Sequence, residues 1–229
     1  MDTAMSAEKR VADALDAFRH ALDNSGVIDG NSPDAVRYLH DWTGDYLGAA
    51  LAVLRPKSVE EVQEIVRICG KYRVSIIPQG GNTGLVSGTV GNDAQGTVVL
   101  SLERLNRIRS IDPTNFTMRA DAGVVLQSMK DAAENDDMLF PLALGAQGSC
   151  QIGGNVSTNA GGINVLRYGM TRDLVLGLEA VLPDGSLWQG MTGLRKDNRG
   201  YDLKQLLIGS EGSLGIITGV EVKLFPRPA

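Results

Sequence analysis

The sequence predicts an α+β fold. Three observations carry that prediction: two stretches with apolar residues at helical spacing, several short runs rich in β-branched residues, and an order of elements lacking the regular strand–helix–strand rhythm of a doubly wound sheet. A chain of 229 residues is long enough for one large domain or two small ones.

The elements follow from local pattern. Residues 7 to about 23 form an amphipathic helix, with Val11, Ala14, Leu15, Phe18, Ala21 and Leu22 at helical spacing. A second helix opens after Pro56, where Ser58 and Glu61 fit a capping box. Its apolar face is Val59, Val62, Ile65, Val66 and Cys69, and Gly70 marks its end. "VSIIP" reads as a buried strand, "TVVLSL" as another, and "FTMRADAGV" as a strand with one wet face. "VLQSMKDAAEND" reads as a helix. "LVLGLEAVLPDGSLWQG" reads as a hairpin closed tightly at Asp184-Gly185. "YDLKQLL" is a short helix, and "GIITGVEVKLF" a last strand with Val220, Val222 and Leu224 on one face. "PRPA" looks like the start of a linker.

Charge and cysteine usage narrow the class. The net charge is −5 and no long basic run appears, which removes the electrostatic case for nucleic acid. Cys69 and Cys150 are far apart and read as reduced thiols. The first 23 residues lack the apolar core of a signal peptide, and no apolar run is long enough to cross a bilayer, so a cytoplasmic protein is expected.

Glycine carries the functional signal. The chain has 28 glycines among 229 residues, well above the ordinary share of about 7%. They gather in "PQGGNTGLVSG" (78–88), in "LGAQGSCQIGGNVSTNAGG" (144–162) and, more weakly, in "GSEGSLG" (209–215). A tight turn explains any single pair. Three clusters beside predicted strand or helix ends point instead to backbone amides bared for an anionic ligand, supplemented by Asn82, Thr83, Ser149, Ser157 and Thr158. No two glycines are separated by one residue, so the G-x-G-x-x-G fingerprint is absent. The only Gly-Lys pair, Gly70-Lys71, is followed by Tyr72, so there is no Walker A loop.

Together with "DWTGDYLGAALAVLRPKSVEEV", "LRYG" and "LRKDNRGYDLKQLLIGSEGSLGIIT", these segments resemble the FAD-binding domain of the vanillyl-alcohol oxidase/p-cresol methylhydroxylase superfamily. The branch they resemble most is the D-2-hydroxyacid dehydrogenases acting on lactate, 2-hydroxyglutarate or glycolate. The resemblance covers roughly residues 41–226. It implies a two-subdomain α+β domain of the p-cresol methylhydroxylase type over residues 46–226, preceded by a helical segment 1–45, with FAD extended between the parts. It implies that Gln79, Gly80, Gly81, Asn82, Thr83 and Gly84, flanked by Pro78 and Leu85, cradle the pyrophosphate. Gly148, Ser149, Ile152, Gly153, Gly154, Ser157, Thr158 and Asn159 would follow the ribityl chain and flavin, with Gly145, Gly161 and Gly162 in the same loop. Gly215, Ile216 and Ile217 would lie near the adenine.

Some relatives attach FAD through a histidine in the first glycine loop. This loop offers Asn82, and His20 and His40 lie outside the motifs, so non-covalent FAD is expected. In this branch a cap domain supplies the substrate pocket and the base. The chain stops at Ala229, where that domain would begin, so neither a catalytic base nor a metal site is expected here. The implied activity is oxidation of a D-2-hydroxyacid to the 2-oxoacid, with an electron acceptor the residues do not reveal. The alternatives are an FAD-holding module silent without a partner, another flavoprotein of the superfamily, and a phosphate-binding structural domain. Arg167 and Tyr168 are candidates for the flavin edge. "RKDNRGYD" reads as a mutually paired polar loop, Cys150 as small-residue packing, and Asp41, Trp42 and Asp45 as a packing loop.

Overall fold

The protein is described by a computed structural model covering residues 6–228. The backbone divides into two compact units: the chain up to Arg104 together with Pro183–Ser186, and Leu105–Leu182 together with the chain from Leu187 onward.

In the first unit, helix α1 (Ala7–Ala21) starts at Ser6, whose hydroxyl accepts from the Lys9 amide at 3.2 Å, and buries Ala14 and Phe18. Strand β1 (Val27–Asp29), a 3₁₀ turn at Pro33–Ala35 and helix α2 (Val36–Leu39) lead into β2 (Ala49–Leu54). Helix α3 (Val59–Tyr72) then crosses to β3 (Ser75–Gln79), and β4 (Asn92–Ser101) inserts between β2 and β3, giving the order β1-β2-β4-β3. Strands β2, β4 and β3 are parallel, and β1 is antiparallel to β2. A parallel core within an α+β chain was not apparent from the sequence, because one helix carries the whole crossover. Pro78 is tolerated because β3 is an edge strand.

Helix α3 packs Val62, Ile65, Val66, Ile68 and Cys69 inward, and burial pushes the Cys69 thiol up to about 12. Its start differs slightly from the expected box. Ser58 caps Glu61 N at 3.3 Å, but the Glu61 carboxylate accepts from Lys57 N at 2.7 Å. Its end also differs: Gly70 stays helical, and Arg73 turns left-handed at φ 52°.

The second unit contains β5 (Ile108–Asp112), β6 (Thr117–Asp121), α4 (Leu126–Asn135), β7 (Met138–Leu139), α5 (Ile152–Ser157), α6 (Val165–Tyr168), α7 (Thr171–Leu174), β8 (Val175–Val181), β9 (Leu187–Gln189), α8 (Lys204–Leu207), β10 (Ile216–Lys223) and β11 (Phe225–Pro226). Its antiparallel sheet has the order β5-β6-β10-β8-β9.

Three expectations need correction here. The strand at "TMRAD" has no wet face, and its neighbour β10 is likewise buried almost throughout. The polar residues on these strands satisfy each other: Arg109 Nε donates to Asp121 at 2.6 Å and Arg109 Nη2 to Glu179 at 2.8 Å. Thr218 donates to Glu179 at 2.9 Å, and Arg119 pairs with Glu221 at 2.9 Å. The β8–β9 connection is wider than a two-residue turn. Only Gly185 of the pair has positive φ, at 79°, while the Asp184 carboxylate accepts from Ser186 N and Oγ. Finally, "PR" does not begin a linker: Phe225 and Pro226 pair with Leu139 and Met138.

Candidate functional site: two glycine-rich amide surfaces

The first cluster leaves β3 in the first unit. From Gly81 to Thr89 no backbone N–H donates to a protein acceptor among the described residues. The loop keeps its shape through side chains instead. Gln79, 2% exposed, donates to the carbonyls of Tyr38 at 2.8 Å and Thr89 at 2.9 Å. Asn82, left-handed at φ 53°, donates to His40 O at 2.6 Å and accepts from Thr89 Oγ1 at 2.6 Å. Ser87 donates to Asp41 at 2.9 Å, and Asp41 also accepts from Thr43 Oγ1 and Tyr46 N. The Thr43 hydroxyl bond is the main cause holding its carboxyl down to about 2.

Side chains on both flanks thus fix the loop and leave its amides free, the arrangement an oxyanion needs. Two sequence-level readings change. The side chains of Gln79 and Asn82 are committed to holding the loop. His40, distant in sequence, lies beside it in space.

The second and third clusters meet in the second unit. Gly209 N donates to Val156 O at 3.1 Å and Glu211 N to Ser157 O at 2.9 Å, which fastens "GSEG" to the end of α5. Cluster two is not a continuous loop, since six of its residues are the helix α5. Gly153 permits this. A Cβ there would lie 2.7 Å from Ala122 Cβ and 3.0 Å from Ala122 O, against which Gly153 N donates at 2.8 Å. Gly162 is also structurally required, with φ +94° and a would-be Cβ 2.1 Å from Ala143 O.

Gly145, Gly148 and Gly154 are different: a Cβ on any of them meets nothing within 4 Å, as is also true of Gly84 in the first loop. Among the described residues the amides of Gly145, Gly148, Gly161 and Gly162 have no protein acceptor, whereas those of Ser149, Ile152, Gly153, Thr158 and Asn159 are bonded. Thr158 Oγ1 is also engaged, with Gly154 O. Ile216 and Ile217 are buried in β10, and a Cβ on Gly215 would meet Val181 O at 3.1 Å, so these three present backbone rather than side chains to any ligand.

Two residues escaped the sequence reading. Gln151 Oε1 and Asn155 Oδ1 are buried and accept no hydrogen bond among the described residues. They are four apart, at the cap and in the body of α5, and such a polar pair among small and apolar neighbours was the available signal. A buried acceptor without a donor is costly, so each calls for a donor from elsewhere. Burial pushes the Cys150 thiol up, against an opposing bond from the Asn155 side chain, which agrees with a packing role.

Arg167 lies over the Tyr168 ring at 5.3 Å, and Tyr168 packs edge-on to Phe225 at 4.9 Å. In "RKDNRGYD", Arg199 pairs with Asp197 and Lys204 with Asp202, as expected of a paired loop. The free amides of the first unit suit a diphosphate; in the second unit, the open glycines and buried acceptors suit hydroxyl and imide donors.

Fold and donor set together define a dinucleotide-type cofactor domain built without a Rossmann fingerprint. Residues 50–190 match the family described as FAD binding domain, and the chain belongs to that family; its cofactor is FAD. It is 46% identical over 214 residues to the mitochondrial D-2-hydroxyglutarate dehydrogenase of Danio rerio, covering 93% of this chain and 39% of that protein. It is 42% identical over 212 residues to the D-2-hydroxyglutarate–pyruvate transhydrogenase of Saccharomyces cerevisiae, covering 92% and 42%.

The chain therefore spans about two fifths of the length of these relatives. Among solved structures it is similar to alkyldihydroxyacetonephosphate synthase, with TM-score 0.82, 21% identity and coverage of 95% and 41%. It is also similar to p-cresol methylhydroxylase, with TM-score 0.78, 22% identity and coverage of 96% and 44%. Both establish the p-cresol methylhydroxylase type of fold. The cytoplasmic expectation is contradicted: the relatives from Danio rerio and Rattus norvegicus are named as mitochondrial enzymes. Among the described residues, no helix is long and apolar enough to cross a membrane.

Proposed function

We propose that this chain is the FAD-holding part of a flavin-dependent dehydrogenase that oxidises a D-2-hydroxyacid. The observation that carries the reading is the 46% identity to a D-2-hydroxyglutarate dehydrogenase across 93% of the chain. The cluster geometry supports it. The bare amides of Gly81–Thr89 hold the diphosphate, with the loop pinned by Gln79, Asn82 and Asp41. Gln151 and Asn155 accept from donors of the ribityl–flavin portion and so orient it. Gly145, Gly148 and Gly154 leave room for it to lie against the backbone. Bound FAD supplies the hydride acceptor for the substrate carbon.

The chain's own contribution is binding, orientation and exclusion of water. The three clusters contain only two titratable side chains, Cys150 and Glu211, and the Cys150 thiol is held protonated by burial. The group that takes the hydroxyl proton is therefore not Cys150. Attachment is non-covalent, because the first loop carries Asn82 where a histidine would be needed.

Purified chain reconstituted with FAD should show bound-flavin absorbance, and D-2-hydroxyglutarate or D-lactate added to it alone under anaerobic conditions should leave the flavin oxidised. Failure to bind FAD refutes the proposal. Because the chain spans about two fifths of its relatives, a second reading is an FAD-holding subunit that turns over only with a partner chain. Tight FAD binding, with bleaching by the D enantiomer only after a separate partner chain is added, selects that reading.

A further inference from the structure

A cavity of about 390 Å³ lies within the second unit, and its charge is unbalanced. Five cationic and three acidic side chains line it. Two of the acids are already used, Asp197 by Arg199 at 2.7 Å and Asp202 by Lys204 at 2.6 Å. The third, Asp173, accepts from Met170 N at 2.8 Å. Arg172, Arg195 and Lys223 remain with no carboxylate within salt-bridge distance among the described residues, and their protein partners are neutral carbonyl oxygens.

Those partners hold the cations on the cavity lining, with Arg195 near enough to Lys223 to repel its ammonium. Arg195 donates to the carbonyls of Phe116 at 3.0 Å and Leu224 at 3.4 Å, the latter next to Lys223 in sequence. Lys223 donates to Asp173 O at 2.5 Å, next to Arg172. Carbonyls orient the cations without neutralising them, so three positive charges face one remaining carboxylate. Trp188, Val175 and Leu176 also line the cavity.

We propose that this cavity binds a small organic dianion, two carboxylates on a short carbon chain. The net excess of two positive charges sets the ligand charge, and the indole and aliphatic wall favours a carbon skeleton over an inorganic ion. The proposal does not rest on the dehydrogenase reading. Repulsion agrees with it: burial first, then Arg195, push the Lys223 ammonium below its usual range, a strain a bound anion relieves.

The test is titration of the full chain, without and with saturating FAD, with succinate, inorganic phosphate and acetate, read by calorimetry and by Trp188 fluorescence. Succinate should bind more tightly than phosphate and far more tightly than acetate, and should do so already in the chain without FAD. Arg195→Gln and Lys223→Gln should each weaken it about tenfold or more, the usual loss when one partner of a charge-assisted bond is removed. Lys71→Gln, an equal charge change in the first unit, should not. If Lys223→Gln fails to fold, the exposed Arg195→Gln still decides. Unchanged succinate affinity in Arg195→Gln, or phosphate binding more tightly than succinate, overturns the proposal.

Discussion

Replacing Gly153 by alanine should separate the glycines that build the fold from those that admit the cofactor. The new Cβ would sit 2.7 Å from Ala122 Cβ and 3.0 Å from Ala122 O, with the Ala122 Cα at 3.3 Å. Ordinary carbon contacts lie near ~3.5–4.0 Å, so α5 must retreat by about 1 Å. The obstacle includes main chain, and no side-chain rotation relieves it. The retreat also stretches Gly153 N to Ala122 O, now 2.8 Å, and Ile152 N to Val124 O, now 2.9 Å.

Overpacking of this kind costs about 1–3 kcal/mol. For a chain of this size, a fall in Tm of roughly 2–12 °C follows. Gly154→Ala is the matched control. Its Cβ meets nothing within 4 Å, and alanine in a helix is favoured by ~0.5–1 kcal/mol, so Tm should hold or rise. Both variants should weaken FAD, the first by moving the site and the second by filling the approach. Differential scanning fluorimetry and flavin fluorescence titration measure the two effects. A wild-type Tm for Gly153→Ala would refute the packing argument. Wild-type FAD affinity for Gly154→Ala would refute the reading of an open cofactor face.

Other consequences are equally direct. Asn155→Leu removes a buried acceptor lacking a donor, so chemical denaturation should show stability unchanged or higher by ~1–2 kcal/mol, while FAD binding weakens. Asp121→Ala leaves Arg109 facing an incomplete network at a position 1% exposed, and should cost about 3–5 kcal/mol in urea unfolding. Asp41 has its folded pKa depressed from 3.8 to about 2, so its support of the first loop is complete above the ordinary value and is lost as pH falls toward 2. FAD affinity should then be flat from neutral pH down to about 5 and decline below about 4. Denaturing mass spectrometry should return the chain at its own mass, with FAD released.

The long helices were legible because their apolar faces and caps are local, as Ser58 and Glu61 show in α3. What the sequence hid was created by tertiary contact. Asp121, Glu179 and Glu221 look like solvent-facing positions on their strands, and only the guanidinium groups of Arg109 and Arg119 make their burial tolerable. The glycine clusters were visible as composition, but their division of labour was not. Gly153 answers to Ala122, far earlier in the chain, while Gly148 and Gly154 answer to no protein atom. Likewise, neither Asp41 nor His40 advertises its place beside the first loop, which depends on where β2 and β3 bring the chain.

Amide-resolved NMR of the chain titrated with FAD, and in parallel with riboflavin, which lacks the diphosphate, probes the phosphate cradle most directly. Large shifts of the Gly81–Thr89 amides with FAD alone, alongside shifts near Gln151 and Asn155 with both, are the expected result. Unmoved Gly81–Thr89 amides at saturating FAD would contradict it.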